Sequence, residues 1–179
     1  EKGLDVDMQA FERDMKKHQE LSRTASAGMF KGGLADASEA TIKYHTAAHL
    51  LLATLRKILG DHVIQKGSNI TAERLRFDFA HKEKMTDEEK GKVEAIVNDA
   101  IEHDLKVVKR DMPKTEAEAI GAEMEFGTKY NDTVSVYFIE DKEGNTFSKE
   151  FCGGLHVEHT GVLGAFKILK EEASSPGVW

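Results

Sequence analysis

Two short segments of the chain carry side chains that bind transition metals. His45 and His49 are four residues apart, so on a helix their rings lie on one face about 40° apart, one turn above the other. Far downstream, Cys152 and His156 flank two glycines, which let the backbone turn tightly enough for both side chains to face one point. Three imidazoles and a thiolate suit tetrahedral Zn²⁺. We therefore predict a zinc site with ligands His45, His49, Cys152 and His156.

Each motif alone is weak evidence, because surface helices carry histidine pairs by chance. The two together, with the single cysteine of the chain, favour a metal site over unrelated core histidines. His159 is an alternative ligand to His156. Thr46 occupies the position where H-E-x-x-H metalloproteases have their glutamate base, so that class of peptidase is excluded. The remaining histidines are interpreted as solvated side chains: His18, His62, His81 and His103.

The predicted helices and strands that must position these motifs do not alternate strictly along the chain. A helix from about Glu39 to Leu59, ended by Gly60, carries the histidine pair. A capping box, Thr86 with Glu89, begins a second long helix. Alternating or apolar runs predict strands at 63–70, 74–79, 106–109, 134–139, 146–151 and 165–169, with a short helix at 115–120. This order indicates an α+β fold, with an antiparallel sheet packed with helices around the zinc site.

A long N-terminal helix is predicted before this region. Its less polar positions are spaced three and four residues apart between Met8 and Met29, which forms one narrow stripe. The stripe suits a connector that docks on the rest of the molecule, or a coiled coil that binds a partner or a second copy. Gly32 and Gly33 end the helix. The expected division is a connector at 1–36 and a domain with both metal motifs at 37–179.

Composition excludes several classes of protein. With 32% charged and 40% hydrophobic residues, we expect a globular chain without a membrane-spanning or secretory segment. A single cysteine fits a reducing, cytoplasmic environment. Because the chain begins without Met, we expect it to be a piece of a longer protein.

The net charge of −7 taken alone argues against nucleic-acid binding. Between Ile42 and Arg76, however, six basic residues stand against two acidic ones, whereas acidic residues predominate between Lys82 and Asp104. The segment around the histidine pair can therefore meet an RNA end. We expect the intrinsic affinity to be low and strongly salt-dependent.

Four ordered segments resemble the editing domain of alanyl-tRNA synthetases and of related freestanding editing proteins. The run Tyr44 to Leu51 is similar to the first zinc motif of that domain, and Cys152 to Val157 to the second. The other two are the strand pair Val63–Ser68 with Arg74–Phe79 and the closing segment Lys167–Gly177. The resemblance covers nearly the whole chain, including the helix around Phe11.

The chain also departs from that family. Phe30 to Ala40 leaves no room for the β-barrel subdomain that full-length alanyl enzymes usually carry. Leu155 stands where the second motif usually has Thr or Pro, and Ala48 where the first often has a second Thr. If those hydroxyls position substrate elsewhere in the family, that role is absent or replaced here.

The resemblance implies a zinc-containing aminoacyl-tRNA deacylase that removes serine or glycine from mischarged alanine tRNA. A synthetic pocket for alanine cannot exclude glycine and rejects serine poorly, so a second site must correct the errors. Polar partners for the substrate are expected from Thr46 and Gln65, which we take as the catalytic residues, and less from Ser68. Three carboxylates lie near the motifs in sequence, but none has a spacing that marks it as a general base: Glu39, Asp78 and Glu158.

The expected partners are tRNA and the remainder of a synthetase, without a membrane, and a second copy through the N-terminal helix. Aminoacylation is not expected from this chain alone. Three alternatives stay open. They are editing of serine on threonine tRNA, a non-catalytic zinc-organised tRNA-binding module, and an interaction protein that uses the Met8–Met29 stripe.

Overall fold

A computed structural model of the chain describes residues 13–15, 36–124 and 129–179. Of the N-terminal helix predicted over 8–29, only 13–15 belong to this part, and they are helical. The rest of that prediction, with the dimerising stripe, lies outside the described residues. The division into 1–36 and 37–179 stays a prediction.

Helix α1, Glu39–Leu59, carries the histidine pair. Its first turn is stabilised by Ser38, whose side chain accepts a hydrogen bond from the backbone N–H of Thr41, as N-cap residues do. Gly60 follows its last turn with φ 114°, a conformation that favours glycine. The helix buries two kinds of residue side by side, a leucine stripe and the polar residues Thr41, His45, Thr46, His49 and Thr54.

Two separate antiparallel sheets flank this helix. Strands β1, Gln65–Ile70, and β2, Leu75–Phe79, form a hairpin with a register shift between Gln65 and Gly67. The larger sheet has the order β3-β4-β5, from Lys106–Pro113, Thr133–Glu140 and Thr146–Phe151. The predicted α+β class is confirmed. The strands divide into two sheets where one was expected, and α1 contacts both.

The main core lies between α1, the larger sheet and helix α2, Asp87–Glu102. Leu50, Leu55, Val97 and Ile139 have no exposed surface there, so α1 is anchored by apolar contacts independent of any metal. The capping box that begins α2 is present in both directions between Thr86 and Glu89. A second apolar cluster contains Val136 and Phe151 of the larger sheet and Ala117 of the short helix α3, Lys114–Ala119.

The predicted final strand over 165–169 is wrong. A 3₁₀ helix, Thr160–Leu163, precedes this segment, which then runs along α2 without a strand partner. Asn98 binds both backbone groups of Phe166, donating to its carbonyl at 2.9 Å and accepting from its N–H at 2.8 Å. The N–H of Ile168 donates to Glu94 at 2.8 Å. Side chains of α2 therefore satisfy the backbone that a neighbouring strand would otherwise satisfy.

Candidate metal centre

The four predicted ligands meet at the junction of α1 and the loop after β5. One ligand atom from each of His45, His49, Cys152 and His156 lies within 4.8 Å of all the others. His45 and His49 project from one face of α1 and are 4% and 5% exposed. Cys152 directly follows β5, and His156 lies in the loop beyond it. This group can hold a metal ion.

The ring of His45 is oriented by the loop that carries the second motif. Its Nδ1 lies 3.0 Å from the carbonyl oxygen of Leu155. A carbonyl only accepts hydrogen bonds, so Nδ1 carries the proton and donates it. Nε2 is then left with its lone pair and faces the sulfur of Cys152 at 3.5 Å. An imidazole with one nitrogen bound to a carbonyl and the other free is the usual arrangement of a metal-binding histidine.

The ring of His156 lies between the sulfur and the helix. Its Nε2 is 3.4 Å from the sulfur of Cys152, and its Nδ1 is 3.1 Å from the hydroxyl oxygen of Thr46. The backbone N–H of Gly154 also points at the sulfur, at 3.4 Å. Tyr137 packs against the imidazole of His156, with ring centroids 4.2 Å apart. The second motif is thus folded around the sulfur by contacts from its own turn and from β4.

The ring of His49 is almost completely buried. Its Nδ1 is buried and has no hydrogen-bond partner, and its Nε2 lies 3.6 Å from a carboxylate oxygen of Glu150. A buried polar nitrogen without a partner costs about 1–3 kcal/mol. Such an atom is expected in a group of metal-binding side chains whose remaining partner is an ion. The donor set and this unpaired nitrogen therefore fit a bound metal.

Burial keeps the three imidazoles uncharged. It lowers the pKa of His45, although the hydrogen bond to Leu155 acts in the opposite direction. It lowers the pKa of His49 well below 6.5, and the neighbouring His45 lowers it further. The pKa of His156 is likewise well below 6.5, through burial and then through His49 and His45. Only the neutral imidazole binds a metal, so these shifts favour binding at neutral pH.

Glu150 is a site residue that the sequence analysis missed. The pKa of its carboxyl is raised to about 8, chiefly by burial and also by nearby Glu123, although the hydroxyl of Ser148 and the charge of Arg56 act in the opposite direction. With His49 uncharged, their contact at 3.6 Å is not an ion pair at neutral pH. The signal in the sequence was its place two residues before Cys152, since alternate residues of a strand share a face.

A cavity of about 420 Å³ opens beside the cluster. His45, His49 and Cys152 form part of its wall, and Gln65, Ser68 and Glu150 also line it. Gln65 therefore lies where a substrate partner was expected. Thr46 does not, because it has no exposed surface and does not line the cavity. A larger cleft of about 1050 Å³ lies between α1, β2 and the C-terminal segment, away from the four metal-binding side chains.

The other candidate residues lie outside the cluster. His159 is exposed, with its Nδ1 3.8 Å from Asp104, and does not belong to the metal-binding group. Glu39 pairs with Lys43 at 2.6 Å on the surface of α1, and Asp78 pairs with Arg76 at 3.2 Å on β2. Neither carboxylate lines the cavity beside the cluster.

The sequence of this chain is similar to one class of known enzymes. The family described as "Threonyl and Alanyl tRNA synthetase second additional domain" matches residues 134–179, which include Cys152 and His156. The alanine–tRNA ligase of Treponema denticola is 60% identical over 178 residues, covering 99% of this chain and 29% of the relative. That of Borreliella burgdorferi is 55% identical over the same share of both chains. That of Acidithiobacillus ferridurans is 44% identical over 167 residues, covering 90% of this chain and 18% of the relative.

The resemblance to alanyl-tRNA synthetases is thereby confirmed over almost the whole chain. The chain spans about three tenths of the length of the first of these relatives. Within the described residues, no helix is long and apolar enough to cross a membrane.

Proposed function

Starting from the confirmed resemblance to one segment of alanine–tRNA ligases, we propose that this chain hydrolyses the ester between alanine tRNA and a wrongly attached serine or glycine. The observation that carries the proposal is the cavity in which a metal-binding cluster and uncharged polar side chains meet. Its volume, about 420 Å³, lies in the range of small-molecule sites. An amino acid esterified to the terminal ribose is a ligand of this class.

The proposed metal is Zn²⁺, held by His45, His49, Cys152 and His156. Three neutral imidazoles and one thiolate suit zinc better than magnesium or calcium, which prefer oxygen ligands. When bound, the ion would supply Lewis acidity towards a water molecule or the ester carbonyl. The protein's part is to arrange these donors, with the Leu155 carbonyl orienting His45 and burial keeping the rings neutral.

Gln65 is the proposed partner for the substrate's polar group. It begins β1, next to a register shift in the hairpin, and lines the cavity beside the cluster. If the bound substrate shuts this half-buried amide off from water, the hydroxyl of serine satisfies it, whereas alanine would leave it unpaired at a cost of about 1–3 kcal/mol. Ser68, on the same strand and the same cavity wall, is a second donor and acceptor. Such contacts would let the site release serine while sparing correctly charged alanine.

Transfer RNA would meet the site from the basic hairpin side. Lys66, Arg74 and Arg76 are exposed on or beside β1 and β2, close in sequence to Gln65 and Ser68. Against a net charge of −7, this small basic surface supports weak, salt-dependent binding. The remainder of a synthetase would then supply most of the tRNA affinity.

The test is a deacylation assay with alanine tRNA charged with serine, glycine or alanine, with and without a chelator. We expect release of serine and glycine, retention of alanine, and loss of activity on chelation that zinc restores. Threonine tRNA charged with serine is a further arm, and preferential release from it would move the assignment to threonine editing. Stoichiometric zinc without turnover of any charged tRNA would favour the non-catalytic tRNA-binding module.

A single-residue test separates the cluster from the rest of the fold. His45→Ala should lose both bound zinc and deacylation, whereas His103→Ala, at the exposed end of α2, should lose neither. Full zinc content and activity in His45→Ala would overturn the ligand assignment.

A further inference from the structure

Thr46 is buried at the contact between the two halves of the metal site. It has no exposed surface, and its hydroxyl oxygen contacts three groups. These are the carbonyl of Ile42 at 3.3 Å, the backbone N–H of Val157 at 3.2 Å and Nδ1 of His156 at 3.1 Å. Two of the three belong to a loop more than a hundred residues away in sequence. The position therefore links helix α1 directly to the second metal motif.

The hydrogen-bonding capacity of these groups limits their roles. The hydroxyl has one hydrogen and two lone pairs. The Val157 N–H can only donate, so the hydroxyl accepts from it. The Ile42 carbonyl is placed to accept the hydrogen of the hydroxyl, in the way that a helical threonine bonds to the carbonyl four residues earlier. With that hydrogen given to Ile42, one lone pair is left for His156, and the shared contact is satisfied when Nδ1 of His156 carries the proton. Its Nε2, which faces the sulfur of Cys152, is then unprotonated.

We propose that Thr46 is a positioning residue that holds His156 in the tautomer with Nδ1 protonated and thereby presents Nε2 to the metal. The arrangement is reciprocal. The helix orients His156 of the loop through Thr46, and the loop orients His45 of the helix through Leu155. Outer partners of this kind set ring orientation, and their loss typically weakens metal binding about 10–100-fold.

This role differs from that of an ordinary helical threonine, and the same helix supplies the comparison. Thr54 also has no exposed surface and donates to the carbonyl four residues earlier, Leu50, at 2.8 Å. Thr54 lies about two and a half turns beyond His45 and does not line the cavity. Replacing Thr54 removes a buried hydroxyl from α1 without touching the cluster.

The experiment compares Thr46→Val with Thr54→Val in zinc affinity, measured by competition with a chromogenic chelator. This inference depends on the metal-binding part of the proposed function and not on hydrolysis, so no tRNA is needed. We expect about 10–100-fold weaker zinc binding in Thr46→Val, parent-like binding in Thr54→Val, and recovery in Thr46→Ser, which restores the hydroxyl. Equal affinities in the two valine variants would overturn the proposal. Failure of the parent chain to bind zinc would contradict the metal site itself, and this proposal with it.

A second measurement uses only the parent protein, so it tests the proposal even if Thr46→Val does not fold. In parent protein stripped of metal, nitrogen-15 NMR of the imidazole rings distinguishes the two neutral tautomers of His156. We expect the proton on Nδ1 before any metal is added. A proton on Nε2 in the metal-free protein would contradict the role given to Thr46.

Discussion

The ring of His45 donates a hydrogen bond to the backbone carbonyl of Leu155 at 3.0 Å, across a sequence separation of 110 residues. The acceptor is a main-chain atom, and the side chain of Leu155 is 43% exposed. The contact therefore depends on the path of the loop and not on which side chain stands at this position. The second motif can therefore carry leucine at this position without losing the contact to His45.

Leu155→Thr should accordingly leave metal binding unchanged. The carbonyl that orients His45 is retained, and Leu155 lies at the exposed surface of the loop. Zinc affinity measured by chelator competition should stay within experimental error of the parent. A large loss would show that the leucine side chain itself holds the loop.

Cys152→Ser should remove the thiolate signature of the metal centre. In cobalt-substituted protein, the charge-transfer absorption that arises from a thiolate ligand should be present in the parent and absent in the variant. We expect zinc affinity to fall by more than the roughly 10–100-fold typical of outer-shell changes, because a direct ligand is lost. An unchanged cobalt spectrum in Cys152→Ser would exclude the sulfur as a ligand.

Gln65→Ala should impair discrimination without affecting the metal. If the amide binds the serine hydroxyl, kcat/KM for seryl-tRNA should fall about 10–100-fold, the equivalent of roughly 1–3 kcal/mol. The loss for glycyl-tRNA should be smaller, since glycine offers no hydroxyl. Asn69→Ala, on the same strand but outside the cavity wall, is the matched control. Equal losses for both substrates would argue against hydroxyl recognition by Gln65.

Glu150→Gln should stabilise the metal-free protein at high pH. The carboxyl has a pKa of about 8 in the folded chain, against an ordinary value of 4.5. As pH rises above 4.5, the unfolded chain loses this proton first, so folding stability falls until about pH 8 and then levels off. The free-energy gain in Glu150→Gln should thus be small at pH 4.5 and on the order of several kcal/mol at pH 8.

Chemical denaturation of both proteins at the two pH values measures this difference. Both proteins keep the three histidines of the cluster, so the comparison isolates the carboxyl of Glu150 together with its contact to His49. Glu143→Gln, an exposed change in the β4–β5 turn, should show no such pH dependence. A pH-independent effect of Glu150→Gln would mean that the carboxyl is ionised in the folded protein.

Asn98→Ala should loosen the attachment of the C-terminal segment to α2 around Phe166. The side chain makes two hydrogen bonds to the backbone of Phe166, at 2.8 and 2.9 Å, and their loss leaves part-buried polar groups unpaired at about 1–3 kcal/mol. Hydrogen exchange should show faster exchange of the Phe166 amide, while amides of β4 remain protected. Protection of Phe166 in the variant would show that the remaining contacts, apolar packing and the hydrogen bond from Ile168 to Glu94, hold the segment.

Local features of the structure followed from the residues themselves. Four-residue spacing placed His45 and His49 on one helical face, and the Thr86–Glu89 capping box began α2 as expected. Alternation placed β4 and β5 within a residue of their observed bounds. These features depend on interactions within a few residues, which composition and periodicity report directly. The side chains that supply nitrogen and sulfur atoms to the metal cluster could likewise be predicted from residue type and local spacing.

Contacts between distant segments were decided by packing. The sequence did not indicate that Thr46 lies beneath His156, that burial of Glu150 raises its pKa, or that Asn98 takes the place of a strand partner for 165–169. It also did not indicate that the strands separate into two sheets that both contact α1. Each of these features depends on which surfaces come into contact when the leucine stripe of α1 is buried. The periodicity of a sequence shows which face of a helix or strand is apolar, but it does not show which other element packs against that face. The sequence by itself determined which atoms could bind a metal, and the tertiary structure decided which groups orient them.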